Sequence, residues 1–590
     1  MSKVRTWLSC VAWASAALLA LYPAPLLAKC GIGQMLELKV TMSGMQPLVS
    51  AKVNGTDVRF VADSGAFFST LSPGSAAELG LRLTPAPSYF SIRGLGGSAS
   101  ASIATVKSFE LAGLAIPKAQ FFVAGSEVGA IGLLGQNILG IADVEYDLED
   151  GMIRLMKATD CAKTNLAYWS GDKPVSMLDV AVRSPQQPHT IGTVLLNGTH
   201  IRAIFDTGAG TSILSLAAAA RAGIRPDSPG VKPAGFTRGL GRRVVQTWIA
   251  PVDSLKIGDE EIRRIRIRIG DLGLDDADML VGADFFLSHR VYVANGLHRL
   301  YFTYDGGPVF DVTPHRVVSS DGTEEKLPAN STAAPTDAEG YSRRGAAFAA
   351  RQQYEEAIAD FTRACELAPT EARYVYQRAL ARLALKRPLQ AMGDLDRAIT
   401  LAPDSIDARM LRADLRIEVP DKAEAHDDID AADRIAAKQS DARLDIGDLY
   451  ERVDDFDRAV AQYDLWIQAH PDDSRRPVAL ADRCWARAQM GRDLDKALSD
   501  CNAALHLRPG AANILDSRGL VRLRMGDAAK AITDYTAALA VNPRLAWSLY
   551  GRGIAEQRIG LAPQGDADIA AATKINAKLP DRVKALGIVP

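Results

Sequence analysis

The chain has 590 residues, more than one hydrophobic core sustains, and at roughly 150 residues per domain it divides into three or four units. Its 68 basic and 70 acidic residues leave a net charge of only -2, which gives no footing for a nucleic-acid or other polyanionic partner and turns the expectation to protein.

Lys3 and Arg5 precede an apolar run from Trp7 to Tyr22, then Pro23, Pro25 and Leu26-Leu27-Ala28. Residues 1–28 read as a secretory signal peptide cleaved after Ala28, which places the mature chain outside the cytoplasm, in the periplasm. The alternative is an N-terminal membrane anchor, although the run falls short of the roughly 20 residues that span a bilayer. Lys29 before Cys30 does not fit a lipoprotein signal, which needs a small residue there. No later segment reaches spanning length, so no stable membrane insertion is expected. Cys30, Cys161, Cys365, Cys484 and Cys501 follow the signal, none in a C-x-x-C arrangement; disulfides are expected, and no metal or cofactor.

Two segments then repeat one another. Val53-Asn54-Gly55-Thr56-Asp57-Val58-Arg59-Phe60-Val61-Ala62-Asp63-Ser64-Gly65-Ala66 aligns without a gap on Leu196-Asn197-Gly198-Thr199-His200-Ile201-Arg202-Ala203-Ile204-Phe205-Asp206-Thr207-Gly208-Ala209, with seven of fourteen positions identical. Each Asn-Gly favours a type I′ hairpin, so the apolar residues after it lie on a strand that ends at the aspartate. Both pairs also read formally as glycosylation sequons, but the turn explains them alone. Arg93-Gly94-Leu95-Gly96 recurs as Arg238-Gly239-Leu240-Gly241, and Leu133-Leu134-Gly135 as Leu280-Val281-Gly282. Three motifs in one order mark a duplication.

This constellation resembles the retropepsin-like aspartic proteases, over residues 36–158 and 176–308. The resemblance implies two all-β, barrel-like lobes with Asp63 and Asp206 as the catalytic dyad. Ser64 and Thr207 would brace the two loops across the lobe interface, and Gly65 and Gly208 would permit the tight turns that bring N–H groups to the carboxylates. Gly94, Gly96, Gly239 and Gly241 would lie in flaps, and the apolar-Gly segments would support the aspartate loops. Two adjacent carboxyls share one proton and so divide the roles of base and acid toward water and a peptide carbonyl. Phe67 and Phe68 stand where the second lobe has Gly210 and Thr211; they imply an asymmetric pocket or a lobe that has lost catalysis. Ala66 and Ala209 lack the hydroxyl that acid-active pepsins often carry there, which implies an optimum from mildly acidic to near neutral. Terminal strands lie close together in this fold type, which implies a Cys30–Cys161 disulfide. No His-Glu-x-x-His, Gly-x-Ser-x-Gly or Walker motif is present.

Residues 311–336, with Thr313, Pro314, Pro328 and Pro335, read as a polar linker. Beyond it, Ala357, Ala391, Ala425 and Ala459 recur every 34 residues, as do Ala497 and Ala531 after an insertion, and Pro369 and Pro403 keep the same interval. Tyr341, Gly345, Phe348, Ala357, Phe361, Ala364 and Pro369 resemble the tetratricopeptide repeat. The match implies an all-α solenoid over 337–578 of about seven repeats, the last, with Gly565 in place of alanine, degenerate. Cys484 and Cys501 fall on the two helices of one repeat and are placed to pair. The reading is an exported aspartic endopeptidase acting on protein or peptide substrates, with the repeat groove docking a protein partner. The alternative is a non-catalytic peptide-binding scaffold that keeps the fold.

Overall fold

The computed structural model describes residues 30–588 apart from 88–89, 96, 127, 183–188, 238, 240–243, 275–276, 308, 311–316, 319–323, 326–334 and 419–421. In the first lobe, strands Gln46–Val53 and Thr56–Ala62 form a hairpin. Asn54 and Gly55 both carry positive φ, 52° and 87°, as the type I′ turn requires. The Asn54 side-chain oxygen accepts the N–H groups of Lys107 and Ser108, and that of Asn197 accepts those of Asp253 and Ser254. Both amides are therefore used in fastening each turn to the next strand.

The segment Gly132–Leu134 lies parallel to Thr56–Ala62, pairing Leu133 with Val61 and Leu134 with Ala62. The second lobe repeats this, with Ile204 against Leu280 and Phe205 against Val281. Apolar residues dominate because these strands are covered on both sides, and Phe60, Val61, Ala62, Leu134, Phe205 and Val281 are all at most 1% exposed.

The lobes are joined by a six-stranded antiparallel layer in the order Ser176–Asp179, Arg299–Tyr304, His289–Ala294, Asp143–Asp147, Met152–Thr159, Gly31–Ser43. At its middle Val144 pairs with Val293 and Tyr146 with Val291, one strand from each lobe. The Cys30–Cys161 disulfide ties the ends of two of these strands.

Among the described residues, seven antiparallel helix pairs follow, from Ala338–Ala350 with Tyr354–Leu367 to Ala546–Arg558 with Ala562–Ile575, then a short helix Leu579–Ala585. Ala357, Ala391, Ala459, Ala497 and Ala531 are fully buried, since small side chains let the helices of a pair approach. The seventh pair is complete. A Cβ on Gly565 would lie 2.5 Å from the Gly553 carbonyl, so glycine there reflects closer helix contact rather than decay. Cys484 and Cys501 are disulfide-bonded, and Cys365 is free and buried.

Within the segment read as a linker, Val317–Val318 and Glu324–Glu325 pair as short strands, and Val318 extends the sheet beside Glu261. The open edge of the strand Glu260–Gly270 supplies the backbone groups for this. The first repeat is not separate from the protease-like body. Ala346, Ala347 and Phe361, together with Ala381 of the second pair, join the same apolar core as Leu38, Val40 and Met42, and Arg351 forms a buried ion pair with Glu149 at 3.1 Å. Further along, the Ser474 N–H donates to Ser126 Oγ at 2.9 Å. A cavity of about 690 Å³ lies at this junction, between Met42, Leu48 and Arg59 and the helices carrying Tyr376, Leu380 and Asp407.

Candidate active site

Each aspartate ends its strand under a lattice of backbone bonds. The Asp63 N–H donates to the Leu134 carbonyl at 3.0 Å and that of Asp206 to Val281 at 2.8 Å, which fixes where the loops begin. From there the loops interlock. The Ser64 N–H donates to Thr207 Oγ1 at 3.0 Å and the Thr207 N–H to Ser64 Oγ at 2.9 Å. Ser64 Oγ in turn donates to the Phe205 carbonyl at 2.9 Å, and Thr207 Oγ1 to the Ala62 carbonyl at 2.7 Å. Both side chains are at most 2% exposed, so four satisfied bonds in a dry interface hold the two loops in one arrangement.

That arrangement puts the carboxyls face to face. A Cβ on Gly65 would lie 2.2 Å from Asp206 Cγ, and one on Gly208 2.3 Å from Asp63 Cγ, so only glycine permits the approach. Asp63 Oδ1 accepts the N–H groups of Gly65 and Ala66 at 2.9 and 2.7 Å, and Asp206 Oδ1 those of Gly208 and Ala209 at 2.9 and 3.3 Å. Burial holds Asp63 well above the usual carboxylate range, reinforced by the charge of Asp206 and opposed by the N–H groups of Ala66 and Gly65. Burial also raises Asp206, against its hydrogen bond with Asp63, the N–H groups of Gly208 and Ala209 and the positive charge of His189. The pair retains a proton to higher pH than an isolated carboxyl.

Over the site, the hairpin Ser91–Gly94 with Gly97–Ser100 brings Gly94 opposite Gly97, and Gly239 meets Leu95 at the tip of this hairpin. Gly96 and Gly241 lie outside the described residues. Phe67, Phe68, Phe90 and Phe122 cluster beside Asp63, with Phe68 and Phe122 ring centres 4.7 Å apart and Phe90 and Phe122 4.5 Å apart. On the other side, Ile191, Ile204, Ile213, Leu272 and Leu280 form an aliphatic cluster that Leu95 touches. Gly239 and Leu95 are in contact above the dyad, and the cavity of about 690 Å³ lies at the repeat junction, away from it.

Two supporting serines escape the motif reading. Ser69 Oγ accepts the Gly135 N–H and donates to Asn137, and Ser212 does the same with Gly282 and Asp284. Each stands six residues after its aspartate, a coincidence that the alignment of the two copies carries just past its last quoted position. Gln136 adds a bond from its amide to the Ser64 carbonyl at 2.7 Å.

Residues 49–138 and again 192–285 match the aspartyl protease family, and residues 338–371 the tetratricopeptide repeat. The chain carries two domains of aspartyl protease type fused to tetratricopeptide repeats. Among solved structures it is similar to the Cut9–Hcn1 hetero-tetramer of the APC/C, at 15% identity and a TM-score of 0.30 over 37% of this chain and 42% of that one. It is similar also to YrrB, a tetratricopeptide-repeat protein with an unusual peptide-binding site, at 20% identity and 0.29 over 32% and 97%. A repeat protein from Parabacteroides merdae matches at 15% identity and 0.34 over 42% and 98%. The chain thus spans less than half of the first of these structures. No curated protein matches it. Among the described residues no helix is long and apolar enough to cross a membrane.

Proposed function

We propose that the two lobes form one intramolecular aspartic endopeptidase, exported from the cytoplasm, whose repeats dock a protein partner. The observation that carries this reading is the approach of the Asp63 and Asp206 carboxyls across the locked loops. The charged member of the dyad takes a proton from water while the neutral member donates its own to the carbonyl oxygen of the scissile amide. The resulting tetrahedral centre collapses as the leaving nitrogen is protonated. Apolar clusters on both sides of the dyad favour an extended peptide with large apolar side chains near the cut. The two disulfides support an oxidising compartment.

The test is digestion of an unfolded protein or a peptide library by the mature chain, with products read by mass spectrometry. Asp63→Asn and Asp206→Asn should each abolish cleavage while leaving the fold intact. Cleavage that persists in either variant overturns the reading. Binding of peptides without cleavage by the unaltered chain would identify a scaffold instead.

A further inference from the structure

The two lobes match closely around the dyad, and two charged residues of the second lobe break the match: Asp284 stands where the first has Asn137, and His189 stands just before the strand that pairs with the one ending at Asp206. Strand Ile191–Leu196 pairs with Thr199–Phe205 so that Ile191 faces Ile204. The Phe205 N–H donates to the Thr190 carbonyl at 3.0 Å, which extends the ladder by one residue. The same count sets His189 opposite Asp206. Opposed residues of an antiparallel ladder share a face, and that face alternates along the strand. His189 and Asp206 therefore lie on the face of Ile191 and Ile204, the one lined by the aliphatic cluster under Leu95. His189 is half-buried there, and its positive charge acts on Asp206.

The duplicated position, 143 residues earlier, is Gln46. By the register that pairs Leu48 with Val61, Gln46 stands opposite Asp63, and its uncharged amide reaches toward Gly129. Among the described residues, charged groups on elements around Asp206 include Asp63, Arg93 on the flap hairpin, Arg202, Arg268, Asp271, Asp278 and Asp284, whose carboxylate accepts from Ser212. Asp278 is held by Arg221 at 2.8 Å, and Arg268 bonds to Thr247 and the Ala234 carbonyl.

We propose that His189, protonated at acidic pH, holds the negative charge of the dyad on Asp206, making Asp206 the base toward water and Asp63 the acid toward the carbonyl. This rests on the dyad reading above. His189 is a positioning residue in this role, since it acts through Asp206 and not on substrate.

The test compares kcat/KM against pH for the mature chain and its His189→Gln and His189→Lys variants. Loss of the cation should move the acid limb of His189→Gln up by about one pH unit, a roughly tenfold loss on that side. His189→Lys should keep the limb in place. An equal fall at every pH, or an unmoved limb in His189→Gln, overturns the proposal. A second measurement does not need cleavage. With 13C-labelled histidine, the His189 imidazole should titrate at higher pH in the unaltered chain than in Asp206→Asn, because linkage is reciprocal. Equal midpoints overturn the proposal whatever the activity. Cleavage surviving in Asp63→Asn or Asp206→Asn sinks the dyad reading instead.

Discussion

A carboxyl buried against another carboxyl works against the folded state at neutral pH. Asp63 and Asp206 are both raised above their ordinary values, by burial first. In the unfolded chain an aspartate titrates near pH 3.9, about where its ordinary value lies. A carboxyl whose folded value is raised contributes its stabilisation fully below the unfolded value and loses it as pH rises through the folded one. Asparagine carries no such penalty. Asp206→Asn should therefore raise the melting temperature at pH 7 by a few degrees, on the order of 1 kcal/mol, and change little at pH 3.5. Paired thermal melts check this, and a gain that is the same at both pH values refutes it. The same raised values carry a consequence for activity: with alanine at 66 and 209 offering no hydroxyl to the carboxylates, cleavage should peak from mildly acidic to near-neutral pH. A maximum near pH 2 with little turnover at pH 6 would contradict it. The aspartates and the residues beside them were legible because the motif is local and occurs twice. His189 was not, since its bearing on Asp206 depends on ladder register across a hairpin, and nothing in the residues around it marks that.

At the scale of helices, the repeats are held by more than alanine contacts. Arg344 with Asp360, Arg378 with Asp394, Arg412 with Asp428, Arg518 with Asp534 and Arg552 with Asp568 each form a forked ion pair sixteen residues apart. The interval is printed in the sequence at the 34-residue beat, but charged residues read most simply as a solvated face. What the sequence does not give is burial. Asp428 is 3% exposed on its side chain and binds Arg412 at 2.6 Å and Arg416 at 2.7 Å. Removing it leaves two cations without their partner inside the repeat. Asp428→Ala should cost about 3–5 kcal/mol, whereas Lys496→Ala, whose pair with Asp493 lies in solvent, should cost far less. Because each repeat touches mainly its neighbours, the loss should appear in hydrogen exchange of residues 406–435 and spread little beyond the adjoining pairs. Uniform acceleration across the solenoid would refute this localisation. The disulfides were legible for a different reason: the helix pairing and the closeness of terminal strands each follow from the element type once the family resemblance is accepted.

Across the whole molecule, the resemblance did not disclose that the first repeat shares a core with the first lobe. Ala346, Ala347 and Phe361 look like any repeat positions, and contacts between units of different class leave no period to read. Nor does the sequence say that Arg508, at the end of the helix Leu494–Leu507, lies 5.9 Å from the ring of Phe236 beside the second flap. The duplication did make a dyad within one chain the natural expectation, and the six-stranded layer gives it a physical basis. The strands Asp143–Asp147 and His289–Ala294 pair directly across the lobes, while Ser64 and Thr207 exchange bonds at the dyad. Their connection is short, since strand Met152–Thr159 is followed by strand Ser176–Asp179. A link of that length keeps the lobes at an effective concentration in the millimolar range, far above any working concentration of enzyme. Specific activity should then stay constant as the protein is diluted through the nanomolar range, measured with a fluorogenic peptide. Mixing Asp63→Asn with Asp206→Asn adds the sharper arm. If lobes exchanged between chains, one pair in the mixed dimer would carry both native aspartates and regain cleavage. With the pairing locked inside each chain, each molecule keeps one asparagine in its only dyad and the mixture stays inactive. Recovery of cleavage on mixing, or a fall in specific activity on dilution, would mean that the dyad assembles between chains.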